Sequence, residues 1–210
     1  MKIENLDPKE SKGSILAQSY NLSDRTLTKG TYLSEAMVEI LTKENVKTIL
    51  CAVPQEDDMH EDTAAEAISK AIDKNQLYSE EAVTGRANFR APTLSLVRYD
   101  RELIKKINLV DESIAFSIVE HNQLLAKNDL IATLKIIPFF VSKICVERVV
   151  SLLSNNELFE IHSLEEKKID LIQTYHNWQK KSIFKATSNV TKSRLETLGC
   201  TLKKERLIPH

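Results

Sequence analysis

Glycine is nearly missing from this chain. Four residues (Gly13, Gly30, Gly85 and Gly199) serve 210 positions. Neither GxGxxG nor GxxxxGK[ST] can be assembled from them, which excludes the glycine-rich loops that cradle nucleotide phosphates. Cysteine is equally sparse: Cys51, Cys145 and Cys200 lie far apart and no CxxC occurs. A disulfide framework and a structural zinc site are thereby excluded, and a reducing compartment, the cytoplasm, is expected. No apolar run approaches the ~18–20 residues that cross a bilayer, and the polar stretch Met1 to Lys12 lacks the apolar core of a signal peptide. Charge of one sign is not in excess either. With 29 basic and 30 acidic side chains and a net charge of −1, a wholly basic nucleic-acid binder is excluded. Neither a membrane nor a nucleic acid is expected as a partner.

What is present describes a folded chain, since 42% of residues are apolar and 28% charged, well inside the globular range. The near-neutral total conceals an asymmetry. Residues 1–166 hold 19 basic and 27 acidic side chains, a charge of −8, whereas 167–210 hold 10 and 3, a charge of +7. The change falls in Ser163-Leu164-Glu165-Glu166-Lys167-Lys168 and is read as a domain boundary, giving domains 1–165 and 166–210.

The first domain reads as mixed α+β. Gly13–Tyr20 is expected as a strand, Asn21–Asp24 as a turn, and Arg25–Thr28 as the returning arm of a hairpin. Ser34 is placed to cap a helix whose apolar face is Leu33, Met37, Ile40 and Leu41. The apolar run Val46–Val53, stopped by Pro54, suits a buried strand. Asp62 is expected to cap a helix with Ala64, Ala65, Ile68, Ala71 and Ile72 inside. Thr93–Tyr99, Ile114–Val119 and Leu130–Ile137 read as strands, Asp100 caps a helix carrying Leu103, Ile104 and Ile107, and Ser142–Leu153 reads as an apolar-rich helix. The tail predicts a β-α-β unit: a strand at Ile169–Thr174, a helix from about Ser182, a left-handed cap at Gly199 and a strand at Cys200–Ile208. That order implies a parallel pair, and two strands with one helix bury too little apolar surface to stand alone.

Three stretches carry candidate chemistry. In Glu56-Asp57-Asp58-Met59-His60-Glu61-Asp62, clustered carboxylates suit a Mg²⁺ ion; they equally suit a helix N-terminus, where the dipole favours acids. In Thr84-Gly85-Arg86-Ala87-Asn88, Gly85 permits close backbone approach, Arg86 suits a phosphate, and Thr84 and Asn88 can hydrogen-bond a ligand; an exposed turn is the plain alternative. Lys135, inside an otherwise apolar strand, points either to solvent or into a cavity that takes an anion. His176 and Trp178 follow a strand's C-terminal end, where open α/β sheets bind ligands. No GxSxG or equivalent places a nucleophile.

Five stretches in order (Gly13–Ala17, Leu27–Leu33, Glu61–Ala65, Thr84–Asn88 and Ala132–Phe139) resemble the bacterial molybdopterin-binding proteins related to molybdopterin molybdenumtransferase. The tail adds Leu171–Thr174, Val190-Thr191, Arg194-Leu195, Arg206 and Ile208–His210, similar to the opening of that family's molybdopterin-binding domain. The resemblance implies a three-layer α/β/α second domain of which this chain holds the first β-α-β, a truncated domain. It implies molybdopterin as the ligand, work in molybdenum cofactor biosynthesis or handling, and partnership with further copies or other molybdenum cofactor proteins. It implies ligand-binding roles for Thr84, Gly85, Arg86, Asn88, Lys135 and Thr174, and metal-binding roles for Asp58, Glu61 and Asp62. Any enzymatic activity would be that of a molybdenum-inserting transferase; a non-catalytic scaffold is the remaining alternative. The chain has Gln18 where the family pattern has His, and Lys185-Ala186-Thr187 where it has Asp-Lys-Thr.

Overall fold

A computed structural model describes residues 1–72 and 77–210. The chain begins with β1 (Lys2–Leu6), β2 (Ile15–Leu16), β3 (Tyr20–Asn21) and β4 (Thr26–Leu27), followed by α1 (Glu35–Lys43) and β5 (Ile49–Val53). The apolar run predicted around Val46–Val53 supplies the central strand of an antiparallel β1-β5-β2 sheet. Ser34 caps α1 by accepting the Met37 N–H. Leu16, Leu27, Leu33, Leu41, Ile49 and Cys51 close over this sheet as one small core.

The expected strand Gly13–Tyr20 is two shorter pieces. Ala17 still donates to Leu50 O, but the Leu50 N–H is taken by the Tyr20 hydroxyl instead of a ladder carbonyl, and the backbone leaves β5 there. The β3–β4 hairpin falls where turn chemistry put it.

The larger part of the chain runs through β6 (Asp58–His60), α2 (Glu61–Ala71), β7 (Tyr78–Ser79), β8 (Arg86–Arg90), β9 (Ser95–Tyr99), α3 (Arg101–Asn108), β10 (Ile114–Ile118), β11 (Gln123–Leu125), β12 (Leu130–Ile136), β13 (Phe140–Ser142), α4 (Lys143–Ser154) and β14 (Phe159–Ser163). These strands form the antiparallel sheets β10-β12-β8-β7 and β11-β9-β14 and the antiparallel pair β6-β13. α2 packs on α4 and on β8 and β12. Between helices and sheets lies one continuous core. Its centre is an aromatic group: Phe89 stacks on Phe116 at 5.9 Å, and both lie 6.4 Å from Phe159.

The expected helix caps divide. Asp100 takes the N–H groups of Glu102 and Leu103 as predicted. Before α2 the cap is His60, not Asp62: its Nδ1 accepts the Asp62 N–H at 3.2 Å. β6 hydrogen-bonds to β13 up to His60, so the helix starts two residues earlier than the acid pattern implied, and Asp62 falls in its first turn.

The tail is β15 (Lys168–Tyr175), α5 (Lys181–Thr197) and β16 (Thr201–Pro209), with β15 and β16 parallel. It forms its own two-stranded sheet and shares no strand ladder with the sheets before it. Gly199 ends α5 at φ +69°, and a Cβ there would meet Leu94 Cδ2 at 2.7 Å. Between helix and sheet, Gln173 Nε2 donates to Ser188 Oγ at 2.9 Å, and Ser188 donates on to Glu205 at 2.6 Å. His176 stacks on both Trp178 and His210. Among the described residues no helix is long and apolar enough to cross a membrane.

Phe89 is fully buried, so Phe89→Ala should destabilise the chain by about 3–5 kcal/mol, read as a lowered urea midpoint with an unchanged slope.

Candidate functional site

A cleft of about 830 Å³ lies between the two cores. One wall is apolar: Ala17, Leu50, Ile137, Pro138 and Phe139. The Thr28–Thr31 turn forms its rim, and Lys29 holds its ammonium over the Phe139 ring at 5.7 Å from the centroid. Gly30 supplies the left-handed backbone of that turn at φ +92°, while a Cβ there would sit in ordinary contact with Phe139 Cε1 at 3.7 Å. The polar lining is His60, Glu61, Asp62, Thr84 and Lys135, and it adjoins Phe139, whose carbonyl accepts the Glu61 N–H at 2.9 Å. Leu27–Leu33 and Ala132–Phe139, distant in sequence, thus face each other.

The polar wall rests on a two-residue turn. Val83 and Arg86 exchange both backbone hydrogen bonds at 3.1 Å, and the two residues between them are left-handed, Thr84 at φ +51° and Gly85 at φ +66°. This is the tight hairpin turn whose twist suits the flanking strands. Gly85 tolerates that backbone freely; Thr84 is β-branched and strained there.

Three contacts hold the turn against α2 and β12. Asp62 Oδ1 accepts the Gly85 N–H at 2.6 Å, Ile136 N–H donates to Gly85 O at 2.7 Å, and Lys135 Nζ donates to the Thr84 carbonyl. A Cβ on Gly85 would meet Ile136 O at 2.8 Å and collide with the Glu61 side chain.

Lys135 is therefore neither free in solvent nor an open anion receptor. Its side chain is 32% exposed, and Nζ lies 3.5 Å from Glu61 Oε2, whose own side chain is 11% exposed. A lysine that leaves a buried strand for a cleft needs such partners, because an unpaired ammonium in that position is costly.

The other expected residues divide. Asp58 turns away from Glu61 and Asp62: Oδ2 takes the Met1 α-amino group at 2.6 Å and the Gln55 N–H at 2.8 Å. Burial alone would raise its carboxyl, but those hydrogen bonds and the neighbouring positive charge outweigh burial and hold it below the ordinary aspartate value. Asp58, Glu61 and Asp62 each have a partner of their own. No three His, Cys, Asp or Glu side chains converge on a metal position among the described residues, so the carboxylates do not fit the Mg²⁺ ion expected of them.

Asn88 is filled by protein, its amide donating to Glu80 at 2.9 Å and its oxygen accepting from Thr133 at 2.9 Å. Arg86 is exposed, directly opposite Lys135 in the β8–β12 ladder. Thr174 lies in β15, paired with Ile208, and is not part of the cleft.

Lys29 and Phe139 complete the cleft without having been singled out as ligand groups in the sequence, and His60, part of the acidic stretch considered for a metal, lines it with them. The available signal was Lys-Gly in a turn and an aromatic directly after Pro138. His60 presents its edge to Phe140 at 5.7 Å. Because Nδ1 accepts a backbone N–H, its lone pair is there, and the Asp62 carboxylate 3.9 Å away is a neighbour rather than an ion-pair partner. Compared with known proteins, the chain matches no family model, no curated protein and no solved structure.

Two outcomes check this geometry. Thr84→Asn should raise stability by about 0.5–1 kcal/mol, since Asn accepts the left-handed backbone that strains Thr; Gly85→Ala should lower it, and thermal melts read both. The second concerns Asp58, whose folded pKa is depressed. Its contribution is present above the ordinary aspartate value of about 4 and is lost as pH falls through the folded value. The melting-temperature gap between the parent chain and Asp58→Asn should therefore be open at pH 7 and shrink below about pH 4.

Proposed function

We propose that the chain is a molybdopterin-binding protein of molybdenum cofactor biosynthesis or handling, and that the cleft takes the pterin. The observation that carries this reading is the composition of the cleft lining. Lys29 stands over Phe139, and the Glu61–Lys135 pair lies beside that ring's backbone, where Glu61 N–H donates to Phe139 O. A flat heterocycle suits the apolar wall of Leu50, Ile137, Pro138 and Phe139, and a volume of about 830 Å³ accommodates a phosphorylated pterin.

Lys29 pairs with no carboxylate among the described residues, and its only charge-sensitive contact is the Phe139 ring. It is the cation free to meet a phosphate. Lys135 is already committed to Glu61 and Thr84, and its place is beside the ring rather than at the phosphate. Four of the residues to which the resemblance assigns binding roles (Glu61, Asp62, Thr84 and Lys135) meet here, which supports the reading. The parallel β15–α5–β16 unit has the β-α-β order that the resemblance leads one to expect. Binding and handling is favoured over metal insertion because Asp58, Glu61 and Asp62 are each held by separate partners.

Calorimetric titration with 6-hydroxymethylpterin phosphate and its dephosphorylated form tests this. The parent chain should bind the phosphorylated form more tightly. Lys29→Ala should cost about tenfold in affinity for that form, the weight of one charge-assisted contact, and leave the dephosphorylated form nearly unchanged. Absence of binding by the parent chain would overturn the reading.

A further inference from the structure

The Glu61–Lys135 pair is an unusual way to fill a cleft wall. Glu61 is buried at the start of α2, yet its carboxylate has one long contact, 3.5 Å from Oε2 to Lys135 Nζ. A carboxylate offers about four acceptor sites, and Oε1 receives no hydrogen bond from the described residues. No buried side-chain oxygen or nitrogen lacks a partner among the described residues, so Oε1 is open to solvent and takes its donors from there. The cleft is the open side, since both Glu61 and Lys135 line it. The ammonium has a matching vacancy in its bonding: of three N–H groups, one meets Thr84 O and one points to Glu61.

The pair therefore presents two acceptors on the carboxylate, flanked by a donor on the ammonium. Its complement is an edge reading donor, donor, acceptor. A 2-amino-4-oxopyrimidine ring has that edge in its 2-amino N–H, its adjacent ring N–H and its 4-oxo oxygen. Pterins and guanine share it. Replacing the 2-amino group by oxygen, as in lumazine, or by hydrogen, as in hypoxanthine, removes a donor facing Glu61; the oxo form adds a repelling lone pair.

We propose that Glu61 and Lys135 form the specificity edge of the cleft and select the 2-amino-4-oxopyrimidine ring. Glu61 takes the two N–H donors and Lys135 donates to the 4-oxo oxygen, while Phe139 covers the ring and Lys29 faces the phosphate. This rests on the pterin-binding reading above and deepens it from a ligand shape to a hydrogen-bond pattern. A site built to pair a substrate's N–H groups discriminates strongly against analogues that lack them, because its own polar groups are then left unpaired.

The test is equilibrium binding to the full chain of two matched pairs: 6-hydroxymethylpterin phosphate against the corresponding lumazine phosphate, and GMP against IMP. The amino-bearing member of at least one pair should bind 10-fold or more tightly. In Glu61→Gln that ratio should collapse towards one, with circular dichroism and melting temperature confirming the fold. If Glu61→Gln does not fold, Glu61→Asp, which keeps the charge and withdraws it by one methylene, should reduce the ratio, and the parent chain's ratio decides by itself. Equal binding within both pairs, or a ratio unchanged in Glu61→Gln, overturns the proposal. If GMP is favoured over IMP and no pterin binds, the pterin reading fails while the specificity edge stands. If pterin and lumazine phosphates bind equally and GMP is not favoured over IMP, the edge fails while the pterin reading stands. Binding of none of the four overturns both.

Discussion

The approach of the Thr84–Gly85 turn to the first turn of α2 is the constraint on which the rest of the cleft depends. It is possible only because position 85 has no side chain: Ile136 O and the Glu61 side chain occupy the space a Cβ would need. Once the turn is seated, its N–H is fixed by Asp62 and its Thr84 carbonyl by Lys135. Lys135 is then drawn out of an apolar strand and laid beside Glu61. Strain at Thr84 is the local cost of that arrangement, and strain of this kind persists only where surrounding contacts over-determine the backbone.

A second dependence links the cleft to the joint between the two cores. The polar wall comes from α2, the Val83–Arg86 turn and β12, while the Thr28–Thr31 rim belongs to the N-terminal sheet. Ile15, Ala52 and Phe140 form a small buried cluster between them, with Phe139 packed against it. Phe140 also receives the edge of His60, the residue that caps α2. The width of the cleft is thus set by a few close-packed side chains, and interiors of that density do not yield gradually.

How much of this was legible in the sequence follows from the range of the forces involved. α1, α3, α4 and the tail unit were readable because caps and apolar periodicity act within a few residues: Ser34, Asp100 and Gly199 each do locally what their chemistry requires. Mixed α+β architecture was readable for the same reason. The break in the Gly13–Tyr20 segment was not, because it is made by Leu50, which lies in the central strand. Asp62 looked like a cap by position but serves Gly85, 23 residues away. Asp58 looked like a metal ligand beside its neighbours, but pairs with Met1. Lys135 finds Glu61 across 74 residues and Thr84 across 51, distances at which a sequence pattern is silent. The motifs marked the residues; only the fold shows which of them meet.

The tail unit has a property that its secondary structure does not announce. Its helix and sheet are joined by the row Gln173–Ser188–Glu205, with Ser188 the one buried residue of α5. Around that row the apolar residues are only half-buried, and Ile172 on the other face is 57% exposed. Little apolar surface is withdrawn from water in this unit, so residue for residue its melting adds less to the heat capacity than melting the phenylalanine core does.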